Sequence, residues 1–175
     1  MSEDLRYPVG RYVAAAVVSQ DDVNDAIGTL AELPGELRNA VDGLSLERLN
    51  MPYRPEGWSS RQVIHHLADS HANAFIRVRL ALTEEWPTIK AYDEKAWAEL
   101  HDSTTAPVEW SLELIESLHA RWVMLLQSLT AAQWQRGFVH PERGRSTIEA
   151  ATLLYAWHSR HHLAHITHLR AREKW

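Results

Sequence analysis

The sequence predicts an all-α protein folded as a four-helix bundle, with a long connection between the second and third helices. Three observations carry that prediction. Apolar residues recur every three or four positions along four long segments, the period of a helix face buried against a core. Two serines, Ser59 and Ser146, stand three residues ahead of Gln62 and Glu149 where such segments begin, the pattern of a helix capping box. No segment of useful length alternates apolar and polar residues as a half-buried strand does.

Residues 1–18, with Tyr7-Pro8-Val9-Gly10, have little periodicity and read as an extended lead-in. The first helix starts between Ser19 and Asp22, where acidic side chains suit a helix N-terminus. Its stripe is Val23, Ile27, Leu30, Leu33, Leu37 and Val41, interrupted by Pro34, which either bends the helix or opens a new segment. Residues 50–58 are turn-rich. The second helix follows Ser59 and runs to about Thr83 on Val63, Leu67, Ala74, Val78 and Ala81. Residues 86–92 read as loop, Asp93 to Leu100 as a short helix, and Pro107 as the end of another loop. So long a connection is expected to cover an active site. The third helix spans about Ser111 to Leu129, on Leu112, Ile115, Leu118, Trp122, Leu125 and Leu129. Gly137 to Arg145 reads as loop, and Ser146 starts the fourth helix, whose stripe carries Ile148, Ala151, Tyr155, Ile166 and Leu169. Neither a repeat nor a composition shift divides the chain, so residues 1–175 read as one domain.

Of the 175 residues, 45% are hydrophobic and 23% charged, a soluble globular balance with enough length for a real core. A net charge of −5 with no basic face argues against nucleic acid or an anionic membrane as a partner. The N-terminus has no apolar signal core and no apolar run is long enough to span a bilayer, so a cytoplasmic location is expected. The chain lacks cysteine. This excludes a catalytic thiol, disulfides and thiolate metal sites, and leaves nitrogen and oxygen donors for any transition metal.

Five histidines lie between His158 and His168, inside the fourth helix. Histidines four apart sit one above the other on a helix face and can share one metal ion. On a 100° wheel centred on Tyr155, His162 falls about 20° and His158 about 60° from the middle of the apolar stripe, His165 about 80° and His161 about 120°. His158 and His162 therefore interrupt the buried face, whereas His161 and His168 point away. Unpaired imidazoles are costly in a bundle core, and a shared ion satisfies both. The competing reading is a pair of core-edge histidines satisfied by carbonyls or hydroxyls. A third ligand has to come from another helix. In the second helix His66 lies near the edge of the stripe with Val63 and Ala74, His71 lies on the opposite edge, and His65 points away. Three histidines with an open fourth position form the catalytic pattern, because structural zinc sites are closed by four protein ligands. Asp69, one turn after His66, is placed to orient its free ring nitrogen. Tyr155 either reaches the ion's surroundings or packs in the core, as do Trp58, Trp97, Trp122 and Trp157.

With these residues in view the sequence resembles the DinB superfamily and, within it, the YfiT-like proteins provisionally named metal-dependent hydrolases. The resemblance rests on Tyr7-Pro8-Val9-Gly10, Pro52-Tyr53-Arg54, Gly57-Trp58-Ser59, the run Arg61 to His71, Tyr92 to Trp97, Arg136-Gly137-Phe138, Trp157-His158-Ser159, His161-His162 and Ala164 to Thr167. It implies a four-helix bundle, usually a homodimer, with one divalent ion per chain, zinc or nickel, on His66, His158 and His162. It also implies either of two chemistries on a small-molecule substrate. One is hydrolysis by water that the ion activates; the other is S-transfer, in which a low-molecular-weight thiol such as bacillithiol is the nucleophile. A non-enzymatic, metal-dependent dimeric binding module is the third possibility. No general acid or base is indicated.

Overall fold

The structure is a computed structural model that describes residues 4–175. Four long helices make the frame: α1 (Gln20–Val41), α3 (Ser60–Thr83), α6 (Val108–Gln127) and α8 (Ile148–Glu173). Helix α1 packs on α6 and α8, and α3 packs on the same two. The bundle is thus a closed ring in which α1 faces α3 across the core, and α6 faces α8. Between these come the short helices α2 (Leu46–Leu49), α4 (Glu94–Ala98), α5 (His101–Thr105) and α7 (Ala131–Trp134), and a two-stranded antiparallel hairpin, β1 (Gly137–His140) with β2 (Gly144–Thr147).

Local chemistry fixes the ends of the long helices. Ser19 caps α1 through a reciprocal box with Asp22, and Ser59 caps α3 through one with Gln62. Helix α1 continues through Pro34 as one element. A proline there removes the N–H that would bond back to Leu30, and so frees the Leu30 carbonyl. The apolar stripes supply the core, with Leu30, Leu33, Leu37, Ile64, Leu67, Ile115, Trp122, Ile148 and Leu169 all fully buried.

The structure departs from the sequence expectations in several places. Residues 137–145 form the hairpin and not a plain loop. Its strands are four residues each, too short for alternation to register. Gly137 allows the strands to meet, since a Cβ there would lie 2.2 Å from the Ser146 carbonyl oxygen, and Gly144 turns the chain at φ +77°. Helix α8 begins at Ile148, so its cap is Thr147, the last residue of β2, which accepts from the Ala150 N–H, and not Ser146. Helix α6 begins at Val108, directly after Pro107, a turn earlier than Ser111. Helices α2, α5 and α7 were not anticipated; each is a single turn, shorter than a hydrophobic period can reveal. The long connection reaches the cavity that the histidines line. Residues 86–92 run beside β1, where the Ile89 N–H donates to the Val139 carbonyl at 3.0 Å, and they carry Tyr92 to the cavity wall.

Candidate metal centre

Helix α3 brings His66, and α8 brings His158 and His162 one turn apart, to a common point inside the bundle. One ring nitrogen from each can be chosen so that all three lie within 4.8 Å of one another. The Nε2 atoms of His66 and His158 are 3.2 Å apart. A tetrahedral ion bound at ~2.0–2.1 Å holds its nitrogen ligands roughly 3.3 Å from one another, so this separation suits a shared ion. Burial, together with the neighbouring imidazoles, pushes all three rings to stay neutral: His66 is lowered to about 4, and His158 and His162 fall well below the ordinary value. Neutral imidazole is the form that ligates. No fourth His, Asp or Glu joins this group among the described residues. A set of three neutral ligands leaves a divalent ion its full charge and room for a further ligand.

The three rings line a cavity of about 420 Å³. Trp58 lies against His66 at 4.8 Å between ring centroids and lies near-parallel to His162 at 6.3 Å. Trp157, Tyr92 and Tyr155 form other walls. Arg77, only 9% exposed, also lines it; its guanidinium donates to the Tyr155 hydroxyl and to the Lys90 carbonyl, each at 3.3 Å. No carboxylate lies within ion-pair distance of Arg77 among the described residues. Burial raises the Tyr155 phenol, outweighing the lowering by nearby Arg77, so it stays protonated.

The remaining sequence candidates separate cleanly. His65 does point away from the site, but it is buried: its Nδ1 is 2.7 Å from the Ser111 hydroxyl and its Nε2 donates to the Ala106 carbonyl at 3.2 Å. It is a core histidine satisfied by a hydroxyl and a carbonyl. His71 is fully buried and stops one ring short of the site, its Nε2 lying 3.2 Å from His158 Nδ1. His161 adds to the wheel. It points away from the apolar stripe, yet it is 8% exposed, because Trp157 stacks on it at 4.6 Å and Tyr7 lies 5.8 Å away. The lead-in residues cover that face of α8, and the Trp157 indole donates to the Gly10 carbonyl at 3.3 Å. His161, His162 and His165 form a second close group. Asp69 makes no bond to His66. Its carboxyl is raised to about 6 by burial and by Asp102. Trp97 borders a different depression, and Trp122 is core. Sequence reasoning missed Arg77, Tyr7 and His119. For His119 a signal existed: it continues the buried series Leu112, Ile115, His119, Trp122, Leu126.

Comparison with known proteins places this geometry in context. The DinB superfamily pattern matches residues 29–166. YfiT of Bacillus subtilis, provisionally named a metal-dependent hydrolase, is 49% identical over 175 residues, covering 99% of this chain and 98% of the relative. A Bacillus mycoides protein with the same provisional name is 49% identical over 173 residues, covering 99% of each. The solved structure of Bacillus subtilis YfiT, described as a probable metal-dependent hydrolase with an unusual four-helix bundle topology, superposes with a TM-score of 0.94 over 98% of both chains. With its sequence pattern, its helix order and its bundle all matched, the chain belongs to the DinB superfamily.

Proposed function

We propose that this protein is a metal-dependent hydrolase in which His66, His158 and His162 hold one divalent ion, zinc or nickel, facing the 420 Å³ cavity. The observation that carries the reading is the convergence of three neutral imidazoles, two buried and one half-buried, from two helices on a cavity, with no fourth protein ligand among the described residues. A catalytic ion keeps such an open position, and a structural one does not. Bound there, the ion supplies Lewis acidity that brings water into reach of ionisation near neutral pH. The chain's own residues then do the rest. The Trp58 and Trp157 rings wall the site from solvent. The Tyr155 hydroxyl, held by Arg77, is a donor for an oxygen that gains charge during reaction. Arg77, a buried cation without a carboxylate partner, favours a substrate that carries an acidic group at that end. The homodimer implied by the family resemblance has a candidate face on α6, where Trp110 (65% exposed), Leu114 and Met124 (73% exposed) are exposed apolar side chains; light scattering in solution tests it.

Protein purified without chelator is expected to carry about one divalent ion per chain by elemental analysis, and to cleave an ester or amide in a metal-dependent way without added thiol. Turnover that requires bacillithiol or a similar thiol assigns the S-transferase instead. A protein that neither carries nor takes up zinc or nickel overturns the metalloenzyme. Arg77→Met should raise KM for a carboxylate-bearing substrate roughly 10-fold or more, the worth of a hydrogen bond to a charged group, and leave KM for a neutral analogue little changed.

A further inference from the structure

We infer that two histidine relays, each anchored on a backbone carbonyl, fix the tautomers of His158 and His162 so that both present a bare Nε2 to the metal position; His71, His119 and His165 are positioning residues. This rests on the ligand set proposed above.

The first relay crosses the core. His119 Nδ1 lies 2.5 Å from the Leu30 carbonyl oxygen, His119 Nε2 lies 2.8 Å from His71 Nδ1, and His71 Nε2 lies 3.2 Å from His158 Nδ1. A carbonyl only accepts, so His119 must carry its proton on Nδ1. A neutral imidazole has one N–H. His119 Nε2 is therefore bare and accepts from His71 Nδ1–H; His71 Nε2 is bare and accepts from His158 Nδ1–H. The only lone pair left over is His158 Nε2, the atom that faces His66 Nε2 at 3.2 Å. Pro34 makes the anchor available, because residue 34 has no N–H to occupy Leu30. The relay cannot serve as a proton wire, since its far end has nowhere to hold a proton. It is a lock.

The second relay is shorter and looser. His165 Nε2 donates to the Arg6 carbonyl at 3.4 Å, which leaves His165 Nδ1 to accept from His162 Nδ1–H at 3.3 Å. His162 Nε2 is again the bare atom. This assignment accounts for the second histidine group as support for a ligand, not as a second ion site, because two of its three Nδ1 atoms, those of His162 and His165, are already used on each other. Partners of this kind set the ring orientation and basicity of metal-bound histidines, and losing one typically weakens metal binding about 10- to 100-fold.

The test begins with imidazole ¹⁵N NMR of the metal-free wild-type protein. His71, His119, His158 and His162 are expected as Nδ1–H tautomers and His165 as Nε2–H. An Nε2–H reading at His71 or His158 overturns the first relay, and an Nδ1–H reading at His165 overturns the second. Zinc affinity measured by chelator competition should fall about 10- to 100-fold in His119→Phe, with a mixed tautomer at His158. His119→Gln, which can both donate and accept, should recover most of it. Unchanged affinity and tautomers in a folded His119→Phe refute the lock while leaving the metal site intact. A wild type that binds no zinc or nickel but has the expected tautomers refutes the metal site while leaving the relays intact. Uptake of a second zinc equivalent that is lost in His165→Ala overturns the second relay.

Discussion

The two faces of α8 carry matching histidine pairs in different surroundings. His158 and His162 look across the bundle to His66 of α3 and open on the cavity. His161 and His165 lie further round the helix, under a cover of residues that precede α1 and α3, with His161 bordering the same cavity at its edge. Tyr7 and Trp157 flank His161, and Tyr53 stacks on His165 with centroids 3.9 Å apart. His161, His162 and His165 are buried, His158 is half-buried, and all four are held neutral, so a lowered pKa does not separate the pairs. What separates them is which groups their nitrogens meet. The inner pair converges on an imidazole from another helix, whereas in the outer pair His165 meets a backbone carbonyl and His162 Nδ1, and His161 is stacked between rings with its Nδ1 left without a hydrogen-bond partner. Histidine spacing marks both pairs equally; only a contribution from a second helix distinguishes a site from a wall.

The sharpest way to break this comparison is substitution on each face. His162→Ala should lower zinc affinity by more than the roughly 10- to 100-fold of an outer partner, and His161→Ala by less than about 10-fold. Chelator competition on both variants measures this, and equal losses would show that the faces are not distinct. A second, intermediate effect concerns pH. For the metal-free protein, folded His66 and His161 sit at about 4 and His165 at about 3, against an ordinary 6.5. Below 6.5 the unfolded chain binds protons that the folded chain refuses, so stability is fully present above that pH and drains away as pH falls toward 4 and then 3. The melting temperature in chelator should drop steadily between about pH 6.5 and pH 4; a flat profile contradicts the depressed values on both faces. The smallest effect isolates the cover. Tyr7→Ala should cost about 1 kcal/mol of stability and let His161 rise from about 4 toward its ordinary value, seen by NMR titration, with His66 little moved.

Much of this was legible in the sequence, for a physical reason in each case. The long helices declare themselves because a buried face repeats at the helical period, and the capping box at Ser59 uses residues whose side chains do little else there, whereas the box read at Ser146 gives way to a cap at Thr147. The structure brings together His66, His158 and His162, the three that stripe position and family resemblance both single out. Their role as ligands is the proposal tested above. The wheel turns His161 from the stripe but is silent on its burial, because it measures the angle to the core of one helix and knows nothing of a chain segment lying across the opposite face. His119 was hidden because the stripe of α6 was drawn through Leu118 and Leu125, which are half-buried, and not through the fully buried series one position along. Arg77 was hidden because a lone arginine on a helix is ordinarily a solvated charge, and its burial depends on Tyr155 and on the Lys90 carbonyl, distant in sequence.

The lead-in lying beside His161 bears on how the protein is handled at the bench. Tyr7 borders the cavity, so a polyhistidine tag fused ahead of residue 1 begins within seven residues, along the chain, of a side chain that lines the proposed metal site. Such a tag offers spare imidazoles to the mouth of the site, and a nickel column offers the metal to go with them. Metal content, native metal identity and oligomeric state measured on that material would report the fusion as much as the protein. A cleavable tag at the C-terminal end, or none, keeps those measurements about the chain itself.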